Sequence, residues 1–162
     1  MRLKKRFVAL AALVGAVAAI STVAIAENPH FISGPTCAQT NATLVTCSGK
    51  IAGLGSAPIF LVVNATAGCT TQSGSNNPPG QASFVSGPFN PSNGQFTFGP
   101  GTGNNVTAAG GNCPGTQTGF VSAEGATISV YTCTSGQPTF SRKTGAQTNA
   151  NCTLILGPVA AG

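Results

Sequence analysis

The chain has very few charged side chains, and this scarcity excludes several classes of function. Only 6% of its 162 residues are charged, and the chain has one His, no Trp and no Asp. A serine hydrolase needs a base beside its nucleophile and a group that orients the base. Here these would be His30 with Glu27 or Glu124, and a glycosidase carboxylate pair would have to be the two Glu. We therefore expect no catalytic residues and no enzymatic activity.

Metal and cofactor sites lack their usual residues as well. One His without any Asp cannot assemble a typical Zn or Ca shell, and exported cysteines are more often oxidised than ligating. The segment Gly99–Gly103 is glycine-rich, but neither the helix nor the Lys of a phosphate-binding loop follows it. Sugar-binding surfaces stack planar side chains, and Tyr131 is the single Tyr. We predict no metal and no cofactor.

The N-terminus has the features of an export signal. It begins with a cluster of positive charge formed by Arg2, Lys4, Lys5 and Arg6. An apolar run over 7–20 follows, and Ala24-Ile25-Ala26 is a small-x-small cleavage signature. We predict a signal peptide over 1–26 and one secreted, extracellular domain over 27–162. The alternative is an uncleaved anchor, because the stretch from Phe7 to Ala26 is just long enough to span a bilayer.

Removal of the signal leaves an almost neutral domain. Four of the seven Lys and Arg lie in the signal, and the remainder are Lys50, Arg142 and Lys143 against two acidic residues, a net charge of +1. Nucleic-acid binding requires several cations that neutralise phosphates and release their counterions. Recruitment to an anionic membrane surface requires similar clusters. We predict neither nucleic-acid binding nor a membrane span after cleavage.

Six cysteines accompany the signal: Cys37, Cys47, Cys69, Cys113, Cys133 and Cys152. An even number in an exported chain predicts a disulfide framework. The first two are symmetric about Ala42 and could bridge the first two strands, and the last two could link the last strands across a polar loop. The middle two remain, each where a strand end meets a long loop. Nested pairings stay open on this evidence.

Short apolar runs bounded by Gly, Pro, Asn and Ser predict strands throughout the mature chain. The expected strands are His30–Cys37, Thr43–Ala52, Pro58–Cys69, Ala82–Phe89, a short strand with Phe96 and Phe98, Ala126–Thr134, Pro138–Arg142 and Cys152–Leu156. The continuous apolar run at 59–63 favours a central strand. This pattern predicts an all-β fold, and we favour an immunoglobulin-like β-sandwich over a small β-barrel.

The turns and loops add three expectations. The Pro and Asn-Gly of Asn90–Gly94 predict a tight turn, and with it a hairpin between Ala82–Phe89 and the strand of Phe96. Gln72–Gln81 and Pro100–Gly115 read as polar loops, the second interrupted by a short apolar stretch. Most Phe side chains are expected in the core. His30, at the start of the first strand, and Phe89, beside the turn, are the candidates for contact with a partner.

Several segments together resemble a group of small secreted bacterial proteins. They are Asn28-Pro29-His30-Phe31, Lys50-Ile51-Ala52-Gly53-Leu54-Gly55, Asn77-Pro78-Pro79-Gly80-Gln81, Val85-Ser86-Gly87-Pro88, Asn93-Gly94-Gln95-Phe96, Cys113-Pro114-Gly115 and Phe140-Ser141-Arg142. That family has no assigned activity. The resemblance therefore implies export, a single β domain and a Cys69–Cys113 bridge, with the four other cysteines as additions, and it assigns no role to His30.

These observations favour a non-enzymatic structural or interaction protein of the cell envelope, matrix or an adhesion system, with an unknown extracellular or envelope partner. Edge strands of a sandwich can pair with other chains, including copies of the same chain. The alternatives are a small-molecule carrier with a cleft between sandwich and loops and a protease inhibitor acting through the Gln72–Gln81 loop.

The signal assignment makes a direct prediction. When the full chain is expressed in a host with a secretion pathway, the exported protein should begin at Glu27, because the small residues before it fit signal peptidase. N-terminal sequencing and intact mass of the exported fraction measure this. Recovery of the chain only in membranes, with residues 1–26 still attached, would contradict it.

Overall fold

The computed structural model describes residues 28–71, 80–111, 113–142 and 144–162. The predicted signal peptide, Glu27, Lys143 and most of the Gln72–Gln81 loop lie outside this part of the chain. Eight strands are present: β1 (His30–Asn41), β2 (Leu44–Ala52), β3 (Ile59–Thr70), β4 (Gly80–Phe89), β5 (Phe96–Phe98), β6 (Val106–Ala109), β7 (Thr118–Cys133) and β8 (Cys152–Ala160). None of the described residues forms a helix that could cross a membrane.

The strands form two antiparallel sheets. The first has the order β1-β2-β5, with β6 also pairing with β2, and the second has the order β4-β3-β7-β8. The predicted all-β, disulfide-bonded sandwich is thus confirmed. Among the described residues, strand pairing occurs inside each sheet and does not connect the two sheets. The finer assignment to an immunoglobulin-like topology stays a prediction.

Alternation of side chains places the core between the sheets. On β2, Val45, Cys47 and Ile51 are fully buried, as their spacing predicts. They pack in one cluster with Leu61 and Val63 of β3 from the second sheet. Because successive side chains of a strand point to opposite faces, the alternate residues of β2 lie on the outer face of the first sheet.

Strand β3 is buried on both faces. Its position between β4 and β7 confirms the predicted central strand. Leu61 and Val63 face the other sheet, whereas Phe60 and Val62 belong to a second cluster that includes Tyr131 of β7. A strand with apolar residues on both faces needs cover on both faces, and a loop after β7 provides the outer cover.

Three disulfides join the six cysteines in the predicted pairs. Cys37–Cys47 and Cys133–Cys152 each link directly opposed residues of neighbouring strands, with Cα atoms 4.0 Å apart. Cys69–Cys113 links the end of β3 to the loop before β7, with Cα atoms 5.8 Å apart. Closing loops in the unfolded chain contributes about 2–4 kcal/mol per bridge. Three such bridges indicate folding in an oxidising compartment.

The predicted hairpin between β4 and β5 is wrong, although its turn is correct. Asn93 and Gly94 have φ of 51° and 69°, as a two-residue primed turn requires. The turn is closed by a single bridge between Ser92 and Gln95. β4 then pairs with β3 and β5 with β2, so the turn carries the chain from one sheet to the other. Local turn chemistry set the bend but not the partners of the strands.

Several other segments differ from the sequence-based boundaries, and β1 and β8 each end four residues later than predicted. Pro138–Arg142 is not a strand and pairs only through one bridge, Phe140 with Gln147. The apolar interruption of the second polar loop is a true strand, β6, which pairs with β2. β7 begins eight residues earlier than predicted, at Thr118. It includes a bulge at Gly125, whose φ of 68° suits glycine; the bulge interrupts the alternation of apolar residues.

A matched pair of leucines tests the two-sided core. Leu61 is fully buried in β3, whereas Leu154 of β8 is 42% exposed. Leu61→Ala should lower the free energy of unfolding by about 2–5 kcal/mol, because it leaves a cavity. Leu154→Ala should cost less than about 1 kcal/mol. Urea unfolding measures both, and equal losses would contradict the placement of β3.

Candidate functional site

A loop that we name the strap, of which the structure describes residues 134–142 and 144–151, crosses the outer face of the second sheet. It leaves β7 after Cys133 and returns at Cys152, so the disulfide between these residues closes its base. Pro138 is fully buried, and the Phe140 ring packs edge-on against Tyr131 with centroids 5.7 Å apart. The strap thereby covers the outward-facing apolar residues of β3.

Side-chain amides hold the strap in place. Asn149 accepts a hydrogen bond from the Thr139 N–H and donates one to the Gln137 carbonyl, both at 3.0 Å. Gln147 donates to the Cys152 carbonyl at 2.7 Å. These bonds satisfy backbone groups that no strand pairing uses. The strap is therefore ordered although it joins neither sheet.

Strand β4 is an edge of the second sheet. It pairs with β3 alone, and its outward side chains are tied to the same neighbour. Gln81 Nε2 donates to Thr66 Oγ1 at 3.1 Å, and Ser83 Oγ donates to Asn64 Oδ1 at 2.6 Å. The backbone N–H and C=O groups on the other side of an edge strand point away from the sheet. No backbone hydrogen bond within the described part of the chain uses them.

A groove of about 610 Å³ lies along this free edge, and we name it the edge groove. Residues 80–84 of β4 form its floor. Phe140, Ser141 and Arg142 of the strap form one wall, and Gly111 and Ala67 also line the groove. The groove therefore combines unpaired backbone groups with two Phe rings, those of Phe84 and Phe140.

The electrostatics of the groove are simple. Arg142 is exposed and forms no ion pair among the described residues. Of the described residues that line the groove, it is the single one with a charged side chain. Beneath the strap, burial raises the pKa of the Tyr131 hydroxyl above its ordinary value of 10.0. Such a lining can offer hydrogen bonds, apolar contact and one positive charge to a bound segment.

The two predicted contact residues lie away from the edge groove lining. His30 is exposed at the start of β1, and its Nδ1 lies 2.9 Å from the Asn28 carbonyl oxygen. Phe89, at the end of β4, is half-buried, and its ring centroid is 4.9 Å from that of Phe96. No hydrogen bond or ring contact of the described residues joins His30 to Phe89. A binding role for either residue stays a prediction.

Sequence reasoning missed the groove for a physical reason. Its walls come from the strap and from a loop before β7, which lie far apart in sequence and meet only through tertiary packing. The sequence predicted a strand over Pro138–Arg142 and did not place this segment beside β4. The single sequence signal was the glycine-rich character at Gly111, because small residues leave space between neighbouring segments.

The part of the chain that the structure describes includes no group of three or more His, Cys, Asp or Glu placed to hold a metal ion. Comparison with protein-family models, with curated proteins and with solved structures found no match.

Tyr131 gives a direct test of the strap. As the single Tyr of a chain without Trp, its phenolate absorbance should titrate above pH 10.0, because burial favours the neutral hydroxyl. Phe140→Ala should move the midpoint back towards 10.0, because it uncovers the ring. Phe31→Ala, in β1, is the matched control and should leave the midpoint unchanged.

The same shift has a defined sign for stability. The folded state holds the Tyr131 proton more tightly than the unfolded chain, so this contribution is present below pH 10.0 and lost as the pH rises through the folded pKa. A wild-type midpoint at or below the ordinary value, or equal midpoints in both variants, would contradict the described packing.

Proposed function

We propose that this protein is a secreted, non-enzymatic interaction protein that binds an extended segment of an extracellular or cell-envelope partner by strand addition to β4. The observation that carries this proposal is the edge groove, which borders the unpaired edge of β4. Main-chain hydrogen bonds would supply affinity, and side-chain contacts in the groove would supply specificity.

The composition of the groove supports an extended peptide over a rigid globular partner. Its floor includes Gly80, Ala82 and Ser83, whose small side chains leave the edge of β4 accessible. Edge strands are normally protected by charge, proline or covering loops. The Arg142 charge lies on the wall formed by the strap, and residues 80–84 carry no charge of their own.

The family resemblance and the signal assignment fit this proposal. Both imply export of a single β domain without an assigned activity, and the three disulfides suit an oxidising environment. Self-association through the same edge is a special case, in which the added strand comes from a second copy.

A small-molecule carrier is the second candidate. The edge groove has a volume of about 610 Å³, within the range of ligand pockets, and Phe84 and Phe140 give it apolar contact. The lining otherwise consists of small and polar residues, which favours the peptide. A recurrent small molecule in native mass spectra of the exported protein, displaced when the groove is filled, would favour the carrier.

Two glycines allow the groove to be filled without strain. A Cβ atom added at Gly111 or Gly80 would meet no atom within 4 Å, and neither residue has a φ in the left-handed region. Peptides selected from a random displayed library should bind the mature protein and protect β4 amides from hydrogen exchange. Gly111→Trp should weaken their binding at least about tenfold, because the indole occupies the site, a loss of about 1.4 kcal/mol.

Gly162→Trp is the matched control, since it adds the same side chain at another unobstructed glycine. It should leave peptide affinity unchanged. Thermal unfolding of each variant verifies that the fold is kept. Strand addition is refuted if the selected peptides protect amides elsewhere, or if Gly111→Trp and Gly80→Trp both bind as tightly as the control.

A further inference from the structure

The pairing of strands in the first sheet is irregular beside residues 48–50 of β2. On β1, the register with β2 shifts between Phe31 and Ser33 and again between Ser33 and Thr36. Gly34 lies inside this irregular stretch with a φ of 73°. Its Cβ position would lie only 3.0 Å from the Ser48 carbonyl oxygen. β1 is therefore bulged beside residues 48–50 of β2.

On the other side, β2 pairs with two separate strands, β5 and β6, and the break between them lies beside the same residues of β2. β5 pairs with Gly49 to Ile51, and β6 pairs with Leu44 to Cys47, so Ser48 lies opposite a gap. The chain uses this gap for a loop, residues 99–105, closed by the Gly99 N–H donating to the Asn104 carbonyl at 3.0 Å. Bulges and breaks in strands concentrate next to functional sites, where they redirect side chains.

Both irregularities open onto a second groove, of about 350 Å³, on the outer face of the first sheet. Ser33, Lys50 and Thr97 lie directly opposite one another across β1, β2 and β5. Directly opposed residues place their side chains on one face, roughly 5 Å apart. The row therefore places the Lys50 residue between Ser33 and Thr97 on one face of the sheet, and the loop residue Thr102 lines the same groove.

Within the described residues, the cation in this row has no protein partner. Lys50 is half-buried, and neither an ion pair nor a hydrogen bond to its ammonium is present in the described residues. The Ser33 and Thr97 hydroxyls are likewise unused within those residues. In a mature chain with three cations, one cation thus lies in a hydroxyl-lined groove between a bulge and a strand break. Acceptor groups with negative charge complement this set of donors.

We propose that this groove, which we name the lysine groove, binds an oxyanion: a carboxylate or sulfate group carried by a small ligand. The Lys50 ammonium supplies the charge, and the Ser33 and Thr97 hydroxyls donate hydrogen bonds from either side. The site is distinct from the edge groove, which lies on the other sheet. Its occupation does not depend on strand addition to β4.

Titration of the isotope-labelled mature protein tests the site, with sulfate, glucuronate and neutral glucose as probes at constant ionic strength. Sulfate and glucuronate should produce saturable shifts of the Lys50, Thr97 and Thr102 amides, and glucose should not. Acetate, titrated in the same way, is the reference for a bare carboxylate. If glucuronate binds more strongly than acetate, the groove also contacts the hydroxyl groups of the ligand. Equal binding of the two would restrict the site to the oxyanion itself.

Variants distinguish this site from general attraction of anions. Lys50→Gln should weaken sulfate binding at least about fivefold, because it removes a charge-assisted hydrogen bond. Arg142→Gln removes the same charge from the other sheet and should leave binding unchanged. Thr97→Val keeps the shape of an exposed side chain and should weaken binding by a smaller factor. Non-saturable shifts, or equal losses from Lys50→Gln and Arg142→Gln, would overturn the proposal.

Discussion

The packing of β3 on both faces is the constraint from which the rest of the structure follows. Leu61 and Val63 need a second sheet, and Phe60 and Val62 need cover on the opposite side. A sandwich satisfies the first need and leaves the second open. The strap meets the second need, and because it must stay on the sheet, its ends are fixed by a disulfide between adjacent strands. Core packing therefore places Arg142 beside the edge of β4.

Much of this fold could be predicted from the sequence because its strongest signals are local. The spacing of Val45, Cys47 and Ile51 fixes one buried face of β2, and the run at 59–63 marks a strand buried on both sides. Cysteines symmetric about the turn after β1 are opposed residues of one hairpin, so the pairing of Cys37 with Cys47 follows from register. The alternation of buried side chains and the register of a hairpin depend on residues that are close together in the sequence. A single sequence is therefore enough to predict them.

What the sequence could not give is the choice of partner between distant segments. The Asn93-Gly94 turn is formed as its chemistry requires, yet Phe89 and Phe96 on either side of it belong to different sheets. Their rings nevertheless pack against each other, with centroids 4.9 Å apart, so apolar packing competes with hairpin pairing. The strap was predicted wrongly for the same reason. Pro138 and Phe140 have the apolar pattern of a strand, but Phe140 packs on the outer face of the second sheet and Pro138 is buried without joining a strand. Both grooves arise from such non-local choices.

Few side chains on the surface are charged, so the positions of the two described cations are informative. Of the two described cations, Lys50 lies in the first sheet and Arg142 in the strap that covers the second, and each lines a different groove. Neither has a carboxylate partner within the described residues, and isolated surface ion pairs would contribute little to stability in any case. Disulfides and apolar packing carry the stability instead. The two cations are therefore not needed to hold the fold together, and their positions are free to serve recognition.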